Sequence, residues 1–428
     1  MDKIKVLFVT DDIRMPTGVG IQALKIMQGL VKSGRYIVSS IAGSLRKQNN
    51  TPLVFKDIKL YPTSDAYGNP NLLRMVMNIE KPDIIILFSD PRFFSYVFSM
   101  DNEIRLKSKV VLYHTWDNTP FPKFNIPYYS ACDYITTISK FSHDLLQSNN
   151  INNVNIHHGQ DSTEFFNMDS IEVKKIRSEF VKRIGKPNTD FIIFWNNRNI
   201  SRKRPGDVIL SFIEFYKTHP NSILLMNTVA VDPEGTDIPT VVKDLNTINA
   251  PIILNQQRVD TNQLNMFYNI SDVTLNIAHS EGFGLCVSES LFAGTPCIVT
   301  STGGMTEQMQ IIVHHDAVEC EDGKGCKAFD ENVEFGILLK PEVKDLFGVP
   351  QAPYIHRDYV SVKTIVNSLS EAYMRVKDGN WKTTVGNLGQ KFMVENYSIE
   401  NTLEKWDKYL QDIHNTPKIF KSWRFSVH

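Results

Sequence analysis

Short, unbroken apolar runs recur along the chain, separated by stretches with helical spacing. Ile4–Val9 (IKVLFV), Asp83–Phe88 (DIIILF), Lys109–Tyr113 (KVVLY) and Tyr134–Ile138 (YITTI) form one set. Phe191–Trp195 (FIIFW), Ser222–Asn227 (SILLMN), Val273–Ala278 (VTLNIA) and Pro296–Thr300 (PCIVT) form a second. Strands that alternate apolar and polar residues show one face to water. Continuous runs are covered on both faces, which is the condition of a parallel sheet between helices. Two α/β domains with doubly wound sheets follow, joined near Ser170–Asn188 by a charged helix. A chain of 428 residues agrees, since it exceeds what one core ordinarily organises.

Charge and cysteine content narrow the setting. The formal net charge is −1, so the whole molecule projects no strong field toward nucleic acid or anionic membranes. The first 165 residues carry 18 Lys/Arg against 15 Asp/Glu, a slight basic bias. Five cysteines (Cys132, Cys286, Cys297, Cys320, Cys326) make no paired framework and point to a reducing compartment, so a cytoplasmic location is expected. The start, MDKIKVLFVTDD, has the wrong shape for a signal peptide, and no apolar run approaches the ~18 residues of a membrane span. Any work on lipid is expected from the membrane surface.

Ligands of open α/β sheets bind beyond the carboxyl ends of the strands, so the loops there carry the chemistry. After the first strand, Gly18 and Gly20 flank Val19 at the start of an amphipathic helix, where backbone N–H groups can approach an anion. After FIIFW comes NNRNISRKRPG. Arg198, Arg202, Lys203 and Arg204 crowd one βα loop and suit a diphosphate. After VTLNIA comes HSEGFGLCVSES. Glu281 stands at the mouth of a helix closed by Gly294, and Glu289 lies about two turns along, at ~100° per residue, on roughly the same side. Carboxylates accept well from vicinal hydroxyl pairs, which sugars and ribose both offer. Separately, each feature has an ordinary reading: a packing glycine, a solvated basic loop, a capping glutamate.

Together they resemble a known pattern. Glu281-Gly-Phe-Gly-Leu with Glu289 eight positions on, E-x7-E, is similar to the signature of retaining glycosyltransferases of family 4, which have the GT-B fold. TGVG resembles their N-terminal glycine loop. HHGQDSTEFF resembles their hinge, with Gly159, Asp161 and Phe165 matching. RNISRK, TGGMTEQM and the closing ENYSIENTLEKWDKYLQDI follow in family order. The resemblance implies two Rossmann-like domains facing across a cleft. Residues 1–175 would be the acceptor side and 176–395 the nucleotide-sugar side, with 396–428 packing back on the first domain. It implies that Glu281 holds donor sugar hydroxyls with the backbone of Phe283, Gly284 and Leu285. Glu289 would hold the ribose, Gly18 and Gly20 would approach the donor, and Arg198 and Lys203 would neutralise the departing diphosphate. His114 would face the transferred sugar. With cations built in, no metal and no cofactor are expected beyond a UDP- or GDP-sugar donor.

Departures from the pattern are His158 where Asn is usual, Arg204 where Gly is usual, and a long stretch Val313–Leu339. His314, His315, Cys320 and Cys326 in that stretch match no familiar zinc spacing. Val349–Val362 is also unusual. The acceptor is less legible. Tyr113–Tyr134 is dense in aromatics, and Trp116 and Tyr128 are candidates to border an acceptor. A glycan or glycolipid acceptor leads. A hydroxymethylated DNA base, as in some phage enzymes, is an alternative favoured by the Asn/Ile/Lys-rich composition, though a duplex-DNA enzyme calls for a stronger basic face. A GT-B nucleotide-sugar epimerase is a second, against which E-x7-E with Arg198 and Lys203 favours transfer.

Overall fold

The computed structural model describes residues 2–43, 51–315 and 329–417, which divide into two compact units. The first comprises Met1–Gly159, Phe347–Ile355 and Tyr397–His428; the second comprises Gln160–Leu346 and His356–Asn396.

The first unit is built on strands β1 (Ile4–Asp11), β2 (Tyr36–Gly43), β3 (Leu53–Phe55), β4 (Ile58–Pro62), β5 (Ile84–Phe88), β6 (Lys109–His114), β7 (Tyr134–Thr137) and β8 (Val154–Asn155). They lie in the order β3-β4-β2-β1-β5-β6-β7-β8. Every neighbouring pair is parallel except β3 with β4. Ile84–Phe88 is buried along its whole length, as its unbroken apolar run requires. Register places chemistry at one edge. Val9 pairs with Leu87 and Phe88 with Tyr113, so Asp11, Ser89 and His114 stand level at the carboxyl ends of β1, β5 and β6. Helix α1 (Gly18–Lys32) follows β1. The C-terminal helix Ile399–Asn415 packs within this unit. Its Trp406 meets Tyr113 edge-on at 5.0 Å, and its Asp407 accepts from the Tyr36 hydroxyl at 2.7 Å.

The second unit carries β9 (Phe191–Asn196), β10 (Ser222–Asn227), β11 (Ile252–Asn255), β12 (Val273–Asn276), β13 (Cys297–Thr300) and β14 (Gly336–Leu339), ordered β11-β10-β9-β12-β13-β14 and parallel throughout. Three helices bear on the site: α2 (Pro205–Tyr216), α3 (Thr261–Ile270) and α4 (Leu285–Phe292). Phe191, Ile193, Trp195, Phe212 and Leu224 centre the core. At about 25 cal/mol per Å² of apolar surface, each such side chain contributes roughly 1.5–3 kcal/mol.

The stretch Val313–Leu339 is not one long loop. Gln310–His315 pairs antiparallel with Phe329–Glu334, and the stretch ends in the edge strand β14. Cys320 and Cys326 lie outside the described residues, and for His314 and His315 only the strand backbone is described. Val349–Val362 acquires an account. Ala352–Tyr359 pairs with Val343–Val349 as a two-stranded ribbon, and Ser361 caps the helix Val362–Lys377 through the backbone N–H of Thr364. Among the described residues no helix is long and apolar enough to cross a membrane.

Candidate active site

The centre of the second unit's site is Glu281, buried in the loop after β12. Its carboxylate is held by two cations from the loop after β9. Lys203 Nζ contacts Oε1, and Arg202 Nη1 donates to Oε2 at 3.0 Å. Arg202 also donates to the Ser280 carbonyl, which fixes the two loops to each other. The Lys203 side chain is only 10% exposed, so this pair is screened little by solvent. A carboxylate buried here is sustained because both partners are charged and hydrogen-bonded.

Local backbone chemistry places Glu281. Gly284 adopts a left-handed conformation (φ 91°, ψ 62°) to turn the chain into α4, and a Cβ there would stand 2.7 Å from Met305 Cγ. Gly303 lets the TGG loop lie against the Glu281 backbone. A Cβ there would stand 1.8 Å from the Glu281 carbonyl oxygen, which accepts from the Gly304 N–H at 3.0 Å. Phe283 is buried, and its carbonyl accepts from Gln308 Nε2 at 2.5 Å. Leu285 opens the helix.

Glu289, two turns into α4, answers to other partners. It accepts from the Tyr268 hydroxyl on α3 at 2.7 Å and from Asn196 Nδ2, at the end of β9, at 3.3 Å. Tyr268 is wholly buried, which together with the neighbouring carboxylate raises its pKa well above the ordinary value and keeps it a donor. Phe165, from the hinge motif, packs edge-on against Tyr268 at 6.1 Å.

The four basic residues of the β9 loop divide their duties. Lys203 and Arg202 meet Glu281. Arg198 does not: 58% exposed, it pairs with Asp232 (3.0 Å) and Glu234 (3.1 Å) on the loop after β10. Arg204 explains its own departure from the glycine of the family pattern. It sits at φ 57°, ψ 47°, where glycine is easiest, as the N-cap of α2. Its guanidinium offsets that strain. It donates to the Val360 carbonyl at 2.7 Å and to Asp207 at 2.8 Å, and lies 4.1 Å from the Tyr359 ring centroid.

In the first unit, His114 is wholly buried at the end of β6. Its Nε2 shares a hydrogen bond with the Tyr129 hydroxyl at 2.8 Å, while Nδ1 has no partner among the described residues. Burial lowers its pKa to about 4, so the ring is neutral near pH 7. Trp116 stacks beside it, with centroids 6.1 Å apart and rings 18° from parallel, and donates from Nε1 to the Asn118 carbonyl. Arg92, forked on Asp90, lies 5.7 Å from the centroid of the same indole. Tyr128 instead packs on Phe98, with centroids 5.3 Å apart. Structure thus brings Trp116 to His114 and packs the half-buried Tyr128 against the core. Gly18 opens α1, and the Gly20 N–H is capped by Thr17 Oγ1 at 2.9 Å. Thr17 in turn donates to Asp11, which also receives the Tyr67 hydroxyl at 2.7 Å.

Sequence reasoning did not single out Arg202 as a Glu281 partner, nor Tyr268 and Asn196 as partners of Glu289. Arg202 could have been found from its spacing, one residue from Lys203 in the same strand-end loop. Tyr268 lies on a different helix and carries no local signal.

The family model described as "Glycosyl transferases group 1" matches residues 177–316, the segment that holds both glutamates and the basic loop. The chain is 30% identical over 177 residues to the alpha-monoglucosyldiacylglycerol synthase of Acholeplasma laidlawii, a match covering 40% of this chain and 38% of that protein. It is 26% identical over 275 residues to the N-acetyl-alpha-D-glucosaminyl L-malate synthase of Bacillus anthracis, covering 63% and 59%. The chain therefore spans less than two thirds of the length of these curated relatives. Among solved structures, the sucrose-phosphate synthase of Thermosynechococcus elongatus superposes with a TM-score of 0.71 over 96% of this chain and 99% of its own, at 12% identity, a likeness of fold. With the motifs in the order of family 4 and this fold around them, residues 177–316 are similar to the group 1 glycosyl transferases, and the chain has the GT-B fold.

Proposed function

We propose that this chain transfers a hexosyl or pentosyl group from a nucleoside diphosphate sugar to an acceptor hydroxyl with retention of configuration. The observation that carries this reading is the buried Glu281 held between Lys203 and Arg202 at the strand carboxyl ends. In the reaction the anomeric carbon–oxygen bond to the diphosphate breaks, the acceptor oxygen bonds to that carbon from the same face, and its proton passes to the departing phosphate. Charge grows on the diphosphate as it leaves. Lys203 and Arg202, held in place beside Glu281, supply positive charge there, and electrostatic stabilisation of this kind is usually the largest catalytic contribution. Arg198 adds to it on leaving Asp232 and Glu234. Exposed ion pairs are worth about 0–1 kcal/mol, so that exchange costs little. Glu281 receives donor sugar hydroxyls beside Phe283, Gly284 and Leu285, and Glu289 receives the ribose diol.

Gly18 and Gly20 are proposed donor contacts. Neutral His114 is a proposed sugar contact, since its unpartnered Nδ1 suits one hydroxyl. Trp116 and Tyr128 are proposed to border the acceptor, Trp116 through its fixed ring and Tyr128 through the aromatic packing beneath that loop. The acceptor class proposed is a glycan or glycolipid. It is supported by the glucosyldiacylglycerol-synthase name of one relative and by the small net charge, which sits poorly with duplex DNA. Built-in cations support a donor chemistry that needs no metal. Buried free thiols at Cys132, Cys286 and Cys297 support a reducing, cytoplasmic setting. The test is a thermal-shift screen of UDP-, GDP- and ADP-sugars, followed by mass spectrometry of products with glycan and lipid acceptors. Transfer of a sugar mass from one donor is expected; no donor binding, or donor epimerisation without transfer, would refute the reading.

A further inference from the structure

Three adjacent parallel strands of the second unit, β11, β10 and β9, each end in asparagine: Asn255, Asn227 and Asn196. They are in register, Asn227 lying opposite both Asn196 and Asn255. Their side chains form one directed ladder. Asn255 Nδ2 donates to Asn227 Oδ1 at 2.7 Å, and Asn227 Nδ2 donates to Asn196 Oδ1 at 2.8 Å. Asn196 Nδ2 then donates to the Tyr268 hydroxyl at 2.8 Å and to Glu289 Oε2 at 3.3 Å. Strands about 4.8 Å apart bring equivalent side chains within reach of such bonds.

The direction has a cause. An ionised carboxylate only accepts, so Asn196 turns its Nδ2 toward Glu289 and is left offering Oδ1 to Asn227. Asn227 repeats the choice toward Asn255. The amide dipoles therefore align toward the carboxylate, and each bond strengthens the next in a half-buried setting. Leucine at these positions would fill similar volume without the bonds, and aspartate could not donate onward.

We infer that the Asn255–Asn227–Asn196 ladder is a positioning device for Glu289, setting its recognition of the ribose diol from a strand that lies two removed from it. Asn227 contacts neither Glu289 nor Tyr268 in the ladder and acts through Asn196. The inference rests on the reading of Glu289 as the ribose acceptor, and the test separates the two.

The experiment is calorimetric binding of UDP and GDP, each against its 2′,3′-dideoxy form, to the full chain and to Asn227→Asp, Asn227→Leu and Glu289→Ala. Aspartate at 227 still accepts from Asn255 but cannot donate to Asn196. Asn196 then turns its amide toward position 227 and presents a carbonyl to Glu289. Asn227→Asp is expected to reduce the preference for the ribo- over the dideoxynucleotide about five- to tenfold. Dideoxynucleotide affinity should stay within about twofold, with Asn227→Leu intermediate. Equal weakening of both nucleotide forms marks a general structural role and overturns the proposal. So does a full ribose preference in Asn227→Asp when Glu289→Ala has lost it, a result that leaves the Glu289 reading standing. A full preference in Glu289→Ala overturns the Glu289 reading and the ladder proposal with it. Should Asn227→Asp fold poorly, Asn255→Asp, which loses its donor to Asn227 at the far end, gives the same readout with a smaller expected shift of about twofold.

Discussion

Two parallel sheets end in different chemistry. At the carboxyl ends of β9 and β12 the second unit collects charge: Glu281 between two cations, Glu289 against a tyrosine and an amide. At the carboxyl end of β6 the first unit instead holds an uncharged side chain: the His114 imidazole is neutral near pH 7, and aromatic rings pack beside it. Architecture alone does not explain the contrast, since both edges are formed by parallel strands covered on both sides. The ligands do, under the proposed function. A diphosphate leaving group carries charge that must be met, while a sugar hydroxyl is neutral and asks for a hydrogen bond.

That contrast can be broken most severely at Lys203. Lys203→Ala removes a nearly buried cation and leaves Glu281 with Arg202, so kcat/KM is expected to fall on the order of 10²–10³-fold, about 3–4 kcal/mol. Steady-state kinetics with the identified donor checks this, and a loss under tenfold would contradict it.

Acid exposes the first unit next. His114 and His157 have pKa values lowered to about 4 and His158 to about 3, all mainly by burial. For a base with a lowered folded-state pKa, the unfolded chain binds the proton first. Stability is therefore full above about pH 6.5 and is lost as pH falls toward the folded values. Between pH 6.5 and 5.5 each histidine is expected to cost about 1 kcal/mol, roughly 3 kcal/mol together. Hydrogen exchange corrected for its intrinsic pH dependence should show the first unit opening before the second. Simultaneous opening would count against this assignment.

Arg198 sharpens the comparison with a smaller effect. Because it is exposed and already engaged by Asp232 and Glu234, Arg198→Ala is expected to lower kcat/KM only about tenfold, roughly 1.4 kcal/mol. An effect as large as that of Lys203→Ala would mean that Arg198 moves fully onto the diphosphate. Trp116→Phe is expected to change acceptor KM by no more than a few-fold, because the indole is packed beside His114 rather than displayed. A large rise in acceptor KM would show that the ring face itself is used.

Much of this was legible in the chain because continuous apolar runs mark fully buried strands. Ile4–Val9 and Phe191–Trp195 appear where the pattern puts them. β2 was not, since Ser39 and Ser40 interrupt its run and are nevertheless buried. β14 hid inside a long stretch that departed from the family pattern. Glu281 and Glu289 stood out because their spacing is itself a motif. Their partners did not, because Tyr268 and the asparagines reach Glu289 by sheet register and helix packing, relations that exist only once β9, β10 and β11 are side by side. Arg204 looked like an exception to the family glycine, and it stands in a left-handed turn, the conformation that glycine adopts most easily.

The measurement that bears most directly on the account is calorimetric titration of the free nucleoside diphosphate into the full chain, Glu289→Ala and Glu281→Ala. Ribose is present in that ligand and the donor sugar is absent. Glu289→Ala is therefore expected to weaken binding about tenfold or more. Glu281→Ala is expected to leave binding unchanged or tighter, because it releases Lys203 and Arg202 from their carboxylate. Equal losses in the two variants, or weaker binding only in Glu281→Ala, would contradict the division of labour on which the proposed function stands.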